Sequence, residues 1–167
     1  MPDADSGIVH GADGVARCWW CDASDQYRAY HDDEWGVPLG GDVELFETLS
    51  LEGFQAGLSW LTILRKRDGF RAAFAGFELE AVARFGKRDV TRLLGDSAIV
   101  RHRAKIEATI NNAARALELI EQEGSLAAYF WRFQPAEPSG GLDRATLAER
   151  ALAPQASELA SELKRRG

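Results

Sequence analysis

The segment Leu45-Phe46-Glu47-Thr48-Leu49-Ser50-Leu51-Glu52-Gly53-Phe54-Gln55-Ala56-Gly57-Leu58-Ser59-Trp60 constrains the chain most. Its apolar residues recur at the spacing of a helix. Projected on that period, Leu45, Leu49, Glu52 and Ala56 share one stripe, so a carboxylate stands where an apolar side chain is expected. A carboxylate there is costly unless something uses it. Burial raises its pKa or demands a partner, and a carboxylate in an apolar pocket is a common way to recognise or polarise a ligand. A helix-end Glu turned to solvent, or a structural pair with an Arg from another helix, would satisfy the same pattern.

With 167 residues, 46% of them hydrophobic, the chain is long enough for one sizeable core and is expected to be a single domain. A net charge of −6 argues against a surface that attracts nucleic acid everywhere, though a local basic patch is compatible with it. No run of apolar residues is long enough to span a membrane and the N-terminus lacks a secretory layout, so a cytoplasmic protein with reduced cysteines is expected.

Residues 1–17 are rich in Gly and Asp without apolar period and are expected to form a flexible tail, with His10 solvated. Cys18-Trp19-Trp20-Cys21 follows, then an aromatic and acidic segment from Asp25 to Pro38 broken at Gly36 and Pro38. Cys18, Cys21 and His31 are residue types that zinc prefers, but they make an incomplete tetrahedron.

Asp42 suits the N-cap of the first long helix and Ser59 that of Trp60 to Arg67, which Gly69 should stop before a further helical piece, Phe70 to Phe74. Short helices are expected over Glu78 to Phe85 and Asp89 to Leu94, and a long one from Ile99 to Glu121. The tight turn between the last two makes a hairpin. Its second helix opens on Arg101-His102-Arg103-Ala104-Lys105, the densest basic patch in the body of an acidic chain. Helix-start N–H groups beside cations make a phosphate site; a solvated basic face is the ordinary alternative. Ser125 to Gln134 reads as an amphipathic helix, Pro135 to Asp143 as a loop, and Gln155 to Arg166 as a last helix ending at Gly167. No strand pattern stands out, and the expected class is all-α.

Four strings are similar, in this order, to the bacterial 3-methyladenine DNA glycosylase I family: Tyr30-His31-Asp32-Asp33-Glu34-Trp35-Gly36-Val37-Pro38, Leu51 to Trp60, Ile99-Val100-Arg101-His102-Arg103-Ala104-Lys105-Ile106, and Leu163-Lys164-Arg165-Arg166-Gly167. The likeness runs from Cys18 to Gly167. It implies a helix-hairpin-helix fold and hydrolysis of the N-glycosidic bond of 3-methyladenine in alkylated double-stranded DNA; a monomer is expected. By this resemblance Glu52 hydrogen-bonds the base edge, Trp60 stacks on it, and Tyr30, Trp20, Tyr27 and Trp35 line the pocket. Leu58 fills the gap that the flipped nucleotide leaves, and Arg101, Arg103 and Lys105 face the DNA. Cys18 and His31 resemble members of the family's structural zinc set.

The family continues past Lys164-Arg165-Arg166-Gly167 with a segment that supplies a further His and Cys, so the zinc site of this chain is expected to be incomplete. Ser97-Ala98 replaces the Ala-Gly usual in the hairpin turn, where a positive φ would suit Gly better than Ala. A second class of function is therefore a truncated, catalytically impaired helical domain that binds alkylated base or DNA without turnover. A zinc-binding interaction module would rest on Cys18, Cys21 and His31 alone.

Overall fold

Helix starts follow the side chains that can cap them. The Ser24 hydroxyl accepts from the Tyr27 N–H at 3.2 Å and opens α1 (Asp25–Asp33). Ser59 accepts from Thr62 N–H at 3.3 Å and opens α3 (Trp60–Arg65). Such caps satisfy N–H groups that the first turn leaves without carbonyl partners. Helix α2 (Asp42–Gln55) differs from the expectation. Its N-cap is Gly41, whose N–H donates to the Glu44 carboxylate at 3.2 Å. Asp42 instead accepts at 2.8 Å from the N–H of Leu126, the first residue of α8 (Leu126–Phe130), so it caps a helix far along the chain.

The computed structural model describes residues 7–135, 146, 148 and 153–167. Further α-helices among the described residues include α4 (Arg67–Ala73), α5 (Leu79–Ala83), α6 (Lys87–Gly95), α7 (Arg103–Glu123) and α9 (Pro154–Arg166). The fold is all-α, as expected. The expected loop beyond Pro135 lies outside the described residues.

Three further expectations fail locally. Residues 8–18 are no tail: β1 (Ile8–His10) and β2 (Ala16–Cys18) pair antiparallel with Val9 opposite Arg17. Their turn closes through Gly11 N–H to the Val15 carbonyl at 3.0 Å and a positive φ of 76° at Gly14. Gly69 does not stop a helix but lies inside α4; a Cβ there would sit 2.7 Å from the Ala98 carbonyl oxygen, so glycine is needed where α4 meets the hairpin turn. The expected long helix from Ile99 begins only at Arg103, because the chain turns at Arg101, where the His102 N–H donates to the Val100 carbonyl at 3.0 Å, and the extended His102 accepts at Nδ1 from Lys105 N–H at 3.3 Å as the N-cap.

The chain forms two compact units: Met1–Pro38 with Phe133–Arg165, and Leu39–Arg132 with Arg166–Gly167. In the second, the core is phenylalanine-rich. Phe54 and Phe70 rings lie 4.6 Å apart, Phe74 stacks on Phe77 at 5.6 Å, and Ile63, Leu93 and Ile106 are fully enclosed around them. Burying several such side chains, at about 1.5–3 kcal/mol each, is the main stabilising contribution. The Arg166-Gly167 end docks on α7 of this unit, with Asn111 Nδ2 donating to the Gly167 carbonyl at 2.8 Å and Arg166 to Gln122 at 3.0 Å.

Candidate active site

Helix α2 carries four acids, Asp42, Glu44, Glu47 and Glu52. Asp42 and Glu44 bind backbone N–H groups, and Glu47 forms a two-oxygen pair with Arg71 at 2.9 and 3.0 Å. Glu52 makes no hydrogen bond or ion pair among the described residues. Protein around its carboxyl desolvates the charge and pushes its pKa up. It nevertheless opens to solvent, so a ligand can reach it.

The stripe that places Glu52 is buried only at Leu45. The helix buries Leu45, Phe46, Ser50, Leu51 and Phe54, whereas Leu49 is 40% exposed and Ala56 is open. Apolar residues occupy both faces of α2, and the period alone does not tell the buried side from the exposed one. The outcome is an accessible apolar strip with a charge-ready carboxyl in it.

After Gln55 the chain turns sharply. Gly57 adopts a φ of 82°, which suits glycine, and the Leu58 N–H reaches back to the Gln55 carbonyl at 2.6 Å. Leu58 is left 42% exposed at the tip, and Trp60, half-buried, opens α3. Gly53, in contrast, is in open surroundings: a Cβ there would meet nothing within 4 Å.

The hairpin between α6 and α7 is held from beneath. Lys66 Nζ donates to the Ser97 carbonyl at 2.8 Å, and Asp96 accepts from Ala98 N–H at 2.8 Å. Ala98 is not among the residues of positive φ, so Ser97-Ala98 fits this turn without strain. Arg101 is exposed and makes no ion pair among the described residues; Arg103 pairs with Glu107 at 3.2 Å on the surface. Lys105 turns away from the patch and donates to the Phe54 and Ala56 carbonyls at 2.8 and 2.5 Å. Lys66, unremarked in the sequence, and Gly69, expected only as a helix stop, are what shape the hairpin from the α3–α4 corner.

In the first unit the aromatic residues gather. Trp20 lies 4.9 Å from Tyr27, 6.3 Å from Tyr30, 5.1 Å from His31 and 5.2 Å from Trp35, centroid to centroid. None of Trp20, Tyr27, Tyr30 and Trp35 is fully buried, so this is not a sealed core. The cluster is pinned by ions. Buried Arg17 forks onto Asp32 at 2.8–2.9 Å and onto Asp13 at 2.7–2.9 Å. Hydrogen bonding from Arg17 and then His31 lowers the Asp32 pKa to about 2.

His31 faces Cys18, but through a hydrogen bond: its Nε2 accepts from the Cys18 N–H at 3.2 Å while Nδ1 meets Asp32 at 2.9 Å. Both ring nitrogens are engaged in this arrangement, and burial pushes the Cys18 and Cys21 thiols up. The Cys21 thiol donates to the Cys18 carbonyl at 3.1 Å. Among the described residues no three His, Cys, Asp or Glu side chains gather as a metal set. The expected zinc ligands Cys18 and His31 are thus neighbours, joined through the Cys18 backbone N–H, with no third ligand beside them among the described residues.

A helical fold whose two-helix hairpin presents cations, with an unpaired carboxyl on an apolar strip and a cluster of rings, belongs to the class of helical DNA glycosylases on comparison with solved structures. A 3-methyladenine DNA glycosylase I (TAG) variant solved in complex with 3-methyladenine superposes with a TM-score of 0.81 at 34% identity, covering 90% of this chain and 81% of that one. The Staphylococcus aureus 3-methyladenine DNA glycosylase I, in a structure of 3-methyladenine recognition, gives a TM-score of 0.79 at 36% identity over 87% of this chain and 77% of that one. In sequence, the DNA-3-methyladenine glycosylase 1 of Escherichia coli (strain K12) is 42% identical over 154 residues, 92% of this chain and 82% of that protein. Residues 20–167 match the profile of the family described as methyladenine glycosylase, and the chain belongs to that family.

Proposed function

We propose that this chain hydrolyses the N-glycosidic bond of 3-methyladenine in alkylated double-stranded DNA, as a monofunctional base-excision glycosylase acting as a monomer in the cytoplasm. The observation that carries the reading is Glu52, the acid on α2 that no described residue neutralises, desolvated beside an accessible apolar strip. Among the described residues no helix is long and apolar enough to cross a membrane.

Methylation at N3 makes the adenine cationic, so the base is already a good leaving group. Glu52 accepts a hydrogen bond from the base edge and attracts its charge, while the ring face of Trp60 favours a cation through its quadrupole. Neutral adenine gains neither attraction. Selectivity then follows from charge rather than shape. When the C1′–N9 bond breaks, its electron pair passes to the base and neutralises it; water adds at C1′ and releases a proton. Leu58 at the tip of its turn is suited to enter the stack as the nucleotide flips, an event that costs a few kcal/mol. Arg101 and Arg103 at the start of α7 provide the phosphate contacts.

The test is release of free 3-methyladenine from methylated duplex DNA against a no-protein control. Glu52→Gln should lower kcat/KM by about 10- to 100-fold, the worth of a hydrogen bond to a charged group. Unchanged excision by that variant would remove Glu52 from the mechanism. Binding of the free base without any release would favour the non-catalytic alternative.

A further inference from the structure

Lys105 stands in the basic run at the start of α7, yet its ammonium is directed inward at the end of α2. Phe54 lies in the last turn of α2 and Ala56 is the residue that follows, so their carbonyls are among those a helix end leaves without intrahelical donors. A cation is favoured at that negative end. Lys105 is itself anchored: its N–H donates to His102 Nδ1 at 3.3 Å, and its carbonyl accepts from the buried Thr109 hydroxyl at 3.0 Å. Between its two acceptors, the Gln55 carbonyl takes the Leu58 N–H. The three successive carbonyls of Phe54, Gln55 and Ala56 are thereby all satisfied, and the turn that carries Leu58 is tied to the first turn of α7.

We propose that Lys105 is a positioning residue for base excision: it holds the α2–α3 turn, and with it Leu58, against the hairpin instead of neutralising a phosphate. The assignment rests on the glycosylase reading above. A phosphate role would require the ammonium to leave two carbonyls that nothing else then pairs. Displacement of a positioned group by about 1 Å costs on the order of 100-fold in rate, so the turn need not unfold for excision to fail.

The experiment compares wild type, Lys105→Met, Lys105→Gln, Leu58→Ala and the Lys105→Met/Leu58→Ala double variant in single-turnover release of 3-methyladenine. DNA affinity is measured alongside as a function of salt. Lys105→Met should lose about 10- to 100-fold in rate in the Leu58 background and little in the Leu58→Ala background. A purely structural lysine would give independent, multiplicative losses. Lys105→Gln keeps N–H donors without charge, so it should excise faster than Lys105→Met with an undiminished salt slope; Arg101→Ala, the control, should lower the slope by about 0.9. If Lys105→Met does not fold, the slope of Lys105→Gln decides. Independent losses, or a slope lowered by about 0.9 in Lys105→Gln, overturn the proposal while wild-type activity leaves the glycosylase reading intact. No release by wild type overturns that reading, and the positioning role with it.

Discussion

At the scale of single residues, Glu52 is kept at the expense of stability. Its folded pKa is raised by desolvation, so the folded state favours the protonated form more than the unfolded chain does. The sign follows: this group favours folding most below the ordinary glutamate pKa of about 4.3, and that contribution is lost as pH rises through the higher folded value. Near neutral pH, Glu52→Gln should therefore match or exceed wild type in Tm while losing excision, which thermal melts and the release assay read together. A melt markedly lower than wild type would mean that Glu52 has a stabilising partner after all. Ala75 shows strain of another kind. Ala75 and Phe77 take φ of 52° and 61° around Gly76, a left-handed run forced by carrying Phe77 into the core, where it is completely buried. Ala75 is exposed and contributes no comparable packing. Ala75→Gly should stabilise the protein by about 1 kcal/mol, measured by urea denaturation, because the left-handed region costs an L-residue about 1–2 kcal/mol.

At the scale of elements, the N-terminal hairpin and α1 are joined by charge. Arg17 on β2 holds Asp32 on α1, and Asp32 holds His31 among the rings of Trp20 and Trp35. The Asp32 pKa, lowered to about 2, makes its contribution present above the ordinary value of about 3.9 and lost as pH falls toward the folded one. Near-ultraviolet circular dichroism of these tryptophans should accordingly weaken between about pH 4 and pH 2, and Asp32→Asn should flatten that acid limb while lowering stability at neutral pH. Because His31 has both nitrogens committed, dialysis against a chelator should leave the Tm unchanged; a drop restored by zinc would show that the Cys18–His31 hydrogen bond gives way to a metal. The hairpin was legible in Asp13-Gly14 set between Ile8-Val9 and Val15-Ala16, a strong turn signal, but short strands beside so many small and acidic residues resemble a tail.

At the scale of the molecule, a net charge of −6 repels DNA except where cations face outward. With Lys105 turned inward, Arg101 and Arg103 are left as the outward cations of the run, so affinity should be weak and steeply dependent on salt. Replacing both by Ala should lower the salt slope by about 1 to 2 and weaken binding to all sequences alike, as fluorescence anisotropy would record. The sequence by itself determined the helix starts at Ser59 and Ser125, the family strings and the oddity of Glu52, because caps, breaks and periodicity depend on residues within a few positions of one another. Only the tertiary structure decided which apolar face of α2 is buried, why Gly69 is glycine, and where Lys105 points. Those depend on groups brought together from far along the chain: 51 residues separate Lys105 from the Phe54 carbonyl, and no local pattern encodes that meeting.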